Sequence, residues 1–285
     1  MGLIFAFLAI GAAVWAVVIE RHWFAVRRYT VACLPPDAAS LRILHVSDLH
    51  FRRGQGLKRR FLRSLSGERL DLIVGTGDFL GDKDSVEATA AALEPIKARL
   101  GGLFVLGSND YFSPVFKNPL RYFAPKARPH RHGKSNPWPD LVQALVGIGW
   151  NYLSNRSTQV DGIEVVGLDD AHIGRADPDA ATQRSGPGFR LALAHTPDSA
   201  RDLLSKGYDL VLCGHTHGGQ VRLPGSGPLV TNCDIPREWA RGLHEVDGNF
   251  LHVSAGLGTS MYAPYRFACR PEVSILELVP RVKRT

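Results

Sequence analysis

Two hydrophobic periods alternate along this chain. The first segment follows neither. "LIFAFLAIGAAVWAVVI", residues 3–19, is apolar throughout and uncharged. At about 1.5 Å per residue it nearly spans a bilayer core, and Trp15 and Trp23 suit interfacial positions. From residue 42 onward, short apolar runs alternate with helical stretches. "RILHVSDLH", "LDLIVGTGD" and "GLFVLGSND" read as buried strands that stop at polar residues. Between them, "LKRRFLRSL" reads as a basic helix, and "SVEATAAALEPIKARL" as a helix that Pro95 bends or ends. "WPDLVQALVGIG" is a further short helix. "GIEVVGLDD", "FRLALAHTPD" and "DLVLCGHTHGG" are further strands. Toward the end, "GQVRLP", "GNFLHVSAGLG" and "EVSILELV" alternate and predict antiparallel pairing.

This order predicts an α/β fold: a largely parallel sheet packed on a more antiparallel one, with helices outside. It divides the chain into an apolar anchor (1–20), a juxtamembrane linker (21–41, with "CLPPD" near its end) and one globular domain (42–285). A cleaved signal peptide normally carries basic residues before its apolar run. Here the positive charges follow it, at Arg21, Arg27 and Arg28. That asymmetry predicts a single-pass membrane helix with the globular domain in the cytoplasm.

The formal charge of +7 and pI near 9.4 suit an anionic partner, whether membrane, phosphorylated substrate or nucleic acid. Cys33, Cys213, Cys233 and Cys269 lie far apart with no CxxC, which argues against a zinc ribbon or thioredoxin-like site.

Five strand ends carry the chemistry: "DLH", "GTGD", "GSND", "AHTPD" and "GHTHGG". Polar groups at the carboxyl ends of such strands converge in one crevice. They offer Asp48, His50, Asp78, His195, His215 and His217. One strand-end Asp is commonplace as a cap, and a lone His is usually structural. Six together are not. Imidazoles mixed with carboxylates suit Mn, Fe, Zn or Co. Six ligands exceed the needs of one tetrahedral ion, and two ions about 3.5–4 Å apart can activate a hydroxide and clamp a phosphoryl group. Gly214, Gly218 and Gly219 let backbone approach a metal or anion closely.

These motifs resemble the calcineurin-like metallophosphoesterases. The longer runs "GHTHGGQVRLP" and "GLGTS…RFACRPEV" are similar to a bacterial membrane-associated branch of that family. The resemblance covers residues 42–279. It implies a four-layer sandwich of two mixed sheets flanked by helices, and two divalent ions. One would be held by Asp48, His50, Asp78 and His217. The other would be held by Asp78, His195 and His215, with Asp78 bridging.

In one place the chain departs from the family. Where the family has Gly-Asn-His-Asp, this chain has "GSND", residues 107–110. The resemblance therefore puts Ser108 at a metal-ligand position. It puts Asn109 and Asp110 at the catalytic edge. Asn cannot donate a proton as a general acid, though it can donate a hydrogen bond.

The implied function is hydrolysis of a phosphomonoester, phosphodiester or pyrophosphate, lipid-linked substrates included. One alternative is a nucleotide or nucleic-acid phosphodiesterase on the same site. A nuclease would want a long basic groove, so nucleic acid is the lesser candidate partner. Another is a weakly active, metal-binding membrane scaffold. Between Tyr111 and Pro139 there is no acidic residue. Lys117, Arg121, Lys126, Arg128, Arg131 and Lys134 there alternate with aromatics, which suggests a rim that meets anionic lipid.

Overall fold

The computed structural model describes residues 2–116, 133–223, 225, 227–231 and 233–281. Most of the basic aromatic stretch, including Lys117, Arg121, Lys126, Arg128 and Arg131, lies outside the described residues.

Two six-stranded sheets form the framework. The first has the order β1-β14-β2-β3-β4-β5. Its strands are β1 (Ala25–Leu34), β2 (Leu41–Val46), β3 (Leu72–Thr76), β4 (Gly102–Val105), β5 (Trp150–Tyr152) and β14 (Glu272–Pro280). The second has the order β12-β13-β9-β8-β7-β6. It contains β6 (Arg156–Val160), β7 (Ile163–Gly167), β8 (Arg190–Leu193), β9 (Leu210–Cys213), β12 (Gly242–Val246) and β13 (Asn249–Val253). A two-stranded ribbon, β10 (Arg222–Leu223) with β11 (Gly227–Pro228), stands apart.

Strand alternation builds three apolar layers. Ile43, Val74, Leu103 and Val105 of the first sheet face Val165, Leu191, Leu193 and Leu212 of the second. The alternate residues Leu44, Ile73 and Phe104 face outward. They pack under α2 (Gly56–Ser64), α3 (Val86–Leu93) and α5 (Trp138–Gly147), through Leu62, Leu93, Leu141 and Leu145. On the far side, Ala192, Val211 and Val253 pack against Leu203 and Leu204 of α6 (Ala200–Ser205). The result is the expected sandwich: helices, sheet, sheet, helix. α3 stops two residues before Pro95, as the sequence suggested.

Two expectations need correction. The segment read as a linker contains β1, which pairs parallel to β14 from Ala25↔Glu272 to Leu34↔Pro280. Its alternation was hidden by exposed polar residues, since Arg28 and Thr30 face solvent while Val31 and Cys33 are buried. The late strands are also not purely antiparallel. β13 is antiparallel to β12 but parallel to β9. β14 is antiparallel to β2 but parallel to β1.

The N-terminal helical run covers Gly2–His22, 21 residues with mean hydropathy 2.6. It begins with α1 (Gly2–Val14), and every side chain through Trp15 is exposed. Its far end is tied to the domain. Glu20 is buried, and its carboxylate accepts from Trp15 Nε1 at 2.7 Å and from the Ala268 and Cys269 amides at 3.0 and 2.5 Å. Arg270 stacks over Trp23 at 4.0 Å from the ring centroid.

Candidate metal centre

β2, β3 and β4 run parallel in the first sheet, and β7, β8, β9 and β13 in the second. The residues that follow both sets meet at one edge, where Asp78 Oδ2 lies 3.6 Å from His195 Nε2. Asp48 and His50 follow β2, Asp78 follows β3, and His195 follows β8. His215 and His217 follow β9. α4 (Ser108–Tyr111) follows β4.

The backbone at these residues is unusual. Asp48, His50, Asp78, His215 and His217 all have positive φ, between 40° and 68°. For a residue with a Cβ this costs roughly 1–3 kcal/mol, so the surrounding fold must hold it. Two loops brace each other to do so: Asp48 N donates to Gly77 O, and His50 N to Asp78 O, each at 2.9 Å. Gly214 lets backbone pass close, since a Cβ there would meet Ser47 Oγ at 1.8 Å and Asp48 Oδ2 at 2.5 Å.

The side chains converge in two overlapping groups, Asp48–His50–His217 and Asp48–Asp78–His195, each with ligand atoms within 4.8 Å of one another. Asp78 Oδ2 lies 3.6 Å from both His50 Nε2 and His195 Nε2. His50 Nε2 and His217 Nε2 face each other at 3.2 Å, and His215 Nδ1 faces His195 Nε2 at 3.2 Å. All six expected residues are thus brought together.

The electrostatics of the cluster fit cations. Asp48, Asp78, Asp110, Asp169 and Asp170 are five buried carboxylates along this edge. Burial pushes Asp48 up to about 6 and Asp170 up to about 6. Burial would raise Asp78 too, but His195, His50 and bonds from Asn109 hold it below the usual carboxylate range. For His195 burial alone would lower the value. Asp78, Asp170 and Asp48 outweigh it and raise the imidazole to about 9. Burial keeps His50 neutral, near 4, and pushes His217 well below its ordinary value. Buried carboxylates gathered around neutral imidazole nitrogens form a donor set for divalent ions.

The "GSND" turn lies against Asp78. The Asn109 amide donates to Asp78 Oδ2 at 2.5 Å, and its backbone N–H donates to Asp78 Oδ1 at 2.8 Å. Ser108 is half-buried and gives its carbonyl to the Phe112 N–H at 2.9 Å. Asp110 spends both oxygens on backbone amides, those of Leu80 and Gly107, each at 3.0 Å. It braces the β3 and β4 loops.

Other residues at the site were not singled out from the sequence. Arg266 is fully buried, and its guanidinium donates to the carbonyls of Ala255, Gly256, Gly258 and His217. It thereby links the His217 turn to the segment whose Gly258 N–H donates to Asp48 O at 2.6 Å. Its signal was its place inside "RFACRPEV". Asp170, at the end of "GIEVVGLDD", caps a turn through the His172 N–H at 2.8 Å, and His172 packs on His215.

A family profile, that of the calcineurin-like phosphoesterases, matches residues 41–219. The chain belongs to that family. It is a metallophosphoesterase, a hydrolase. It is 31% identical over 264 residues to the phosphodiesterase YaeI of Escherichia coli, covering 91% of this chain and 90% of that protein. It is 27% identical over 286 residues to the uncharacterized metallophosphoesterase YkuE of Bacillus subtilis, covering 96% and 92%. It is 28% identical over 310 residues to the UDP-2,3-diacylglucosamine pyrophosphatase LpxG of Chlamydia trachomatis, covering 92% of each.

Proposed function

We propose that this protein is a membrane-anchored phosphoesterase that holds two divalent ions and cleaves substrates whose leaving group is already a stable anion. The observation that carries this reading is Asp78 Oδ2, 3.6 Å from both His50 Nε2 and His195 Nε2. A carboxylate so placed suits a bridge. Asp48, His50, Asp78 and His217 would hold one ion, and Asp78, His195 and His215 the other. Asn109, rather than Ser108, would complete the second set, because its amide already lies against Asp78 and can turn its oxygen outward. Such a pair of ions polarises a phosphoryl oxygen and supplies a hydroxide nucleophile at neutral pH. Mn, Fe, Zn and Co all suit these donors.

The chain's own residues do the rest. Arg266 and the Gly256–Gly258 segment hold Asp48 and His217 in their strained conformations. Asn109 offers an amide hydrogen bond at the substrate edge but no proton. That favours leaving groups needing no proton, such as the phosphate released from an anhydride or the phenolate of an aryl ester. LpxG is named for a pyrophosphate bond in an acylated nucleotide sugar. A pyrophosphate-linked amphiphile is the substrate class proposed here.

The anchor reading rests on the exposed apolar run and on Glu20. Cleavage after Glu20 would take its carboxylate away from the Ala268 and Cys269 amides. Arg21, Arg27 and Arg28 following the run favour a cytoplasmic domain.

The test uses the detergent-solubilised full chain loaded with Mn. kcat/KM is compared for an aryl phosphodiester, a UDP-linked diacyl sugar and an alkyl phosphodiester. The anhydride and the aryl ester should exceed the alkyl ester by at least 100-fold. Equal rates on all three would sink the leaving-group argument.

A further inference from the structure

We infer that the cavity at the root of the N-terminal helix binds the phosphate headgroup of an acylated membrane lipid. This extends the reading that the apolar run spans a bilayer. The cavity measures about 250 Å³. Drug-sized ligands occupy pockets of roughly 300–1,000 Å³, so this one fits a headgroup and leaves chains outside.

Its lining is basic. Arg21, Arg52 and Lys58 all contribute, and among the described residues no Asp or Glu does. Lys58 is buried, 6% exposed, with its ammonium donating to Leu49 O at 2.6 Å. An ammonium has three donors, and that carbonyl takes one. Arg21 donates from Nη1 to Pro264 O at 3.1 Å. Its Nε–H is buried and has no acceptor among the described residues. Burial, with Arg266, Arg52 and Arg21 close by, lowers the Lys58 ammonium to about 7, so the space is short of negative charge. An anion with several acceptor oxygens would supply that charge and take up the two free ammonium donors of Lys58.

The position identifies the source of that anion. Arg21 and His22 line the cavity and close the helical run Gly2–His22. The cavity therefore opens where the helix leaves the domain, at headgroup depth if the run is embedded. Its lip is apolar and exposed. Leu57, a lining residue, is 58% exposed, and Trp23, next to the lining residues His22 and Phe24, is 49% exposed. Thr259, also in the lining, leads into Met261 and Tyr262, both exposed. An apolar lip beside a basic floor matches acyl chains above a phosphate. A soluble phosphate would need the floor alone.

The cavity also touches the catalytic edge. Gly258, in its wall, donates to Asp48 O, and Lys58 holds the carbonyl of Leu49, between Asp48 and His50. A lipid seated here would lie beside the metal loop without occupying it.

The test is binding, measured on the metal-free full chain in a neutral detergent so that catalysis plays no part. The probe is dihexanoyl phosphatidic acid below its micelle concentration, titrated calorimetrically, with inorganic phosphate and dihexanoyl phosphatidylcholine as comparisons. The wild-type chain should bind phosphatidic acid saturably and at least tenfold more tightly than either comparison. Arg21→Gln with Arg52→Gln should weaken it at least tenfold. Leu57→Asp, at the exposed lip, should weaken phosphatidic acid and leave inorganic phosphate unchanged, which guards against a general folding defect. Equal affinity for inorganic phosphate would make this a free-anion site and overturn the inference. So would wild-type affinity in both variants. Aryl phosphodiester turnover, measured separately on Mn-loaded wild type, reports on the phosphoesterase reading independently.

Discussion

Gly214→Ala makes the sharpest use of the site's geometry. Gly214 sits between β9 and His215, where a new Cβ would stand 1.8 Å from Ser47 Oγ and 2.5 Å from Asp48 Oδ2. Contacts relax to near 3.5 Å, so Asp48 Oδ2 must retreat by about 1 Å and Ser47 farther. Neither can move freely. Ser47 Oγ donates to Asp48 Oδ2 at 2.6 Å, and the His215 N–H donates to both Asp48 oxygens, at 3.1 and 3.0 Å. Overpacking of this kind costs roughly 1–3 kcal/mol of stability. A displaced ligand or its support costs about 10–100-fold in metal affinity. Equilibrium dialysis against buffered Mn, with elemental analysis, should detect that loss, and aryl phosphodiester turnover should fall with it. Gly147→Ala, at the end of α5 with nothing within 4 Å of the added Cβ, is the control and should change neither. Wild-type metal affinity and turnover in Gly214→Ala would refute the claim that Asp48 is a ligand held in this strained turn.

Metal uptake should depend on pH in a stated direction. His195, raised to about 9, carries a proton at neutral pH in the metal-free protein and must lose it to become a ligand. Affinity at the position using His195 should therefore rise about tenfold per pH unit from 7 toward 9, then level off. Below about 6, where Asp48 also takes up a proton, the slope should steepen. A flat affinity between pH 7 and 9 would mean that His195 is not a ligand. Asn109→Ala should lower metal content and turnover, while Ser108→Ala should leave metal content within twofold of wild type. The reverse ranking would restore Ser108 as the ligand. Arg266→Met, which removes the donors to His217 and Gly258, should reduce metal affinity about 10–100-fold. Unchanged affinity, measured by the same dialysis, would show that Arg266 serves the fold alone.

Much of the site was legible because its residues follow apolar runs. A strand buried on both faces reads as continuous Leu, Val and Ile, so its end is easily seen. Asp48, Asp78, His195 and His215 stand at or just past such ends. The strain at these positions was not legible, since positive φ at Asp48 or His217 is imposed by neighbouring loops. Nor was the identity of the group beside Asp78. The family resemblance implies a ligand position at Ser108, and the one-turn α4 lays the Asn109 amide against Asp78. β1 was missed because it is an edge strand with charged residues on its open face, directly after an apolar helix. Arg266 was missed because a buried arginine that bonds mainly to carbonyls, with no carboxylate partner, leaves no charge pair to read in the sequence. Residues 117–132, which hold most of the basic aromatic stretch, lie outside the described residues.

Metal stoichiometry at Asp78 tests the central claim most directly. The account places this one carboxylate within reach of both histidine sets. Wild-type chain saturated with Mn and then desalted should hold two ions. His217→Ala should lose mainly one. Asp78→Ala should lose more than one and hydrolyse no aryl phosphodiester above background. Two retained ions in Asp78→Ala, or turnover surviving there, would contradict a shared carboxylate at the centre of the site.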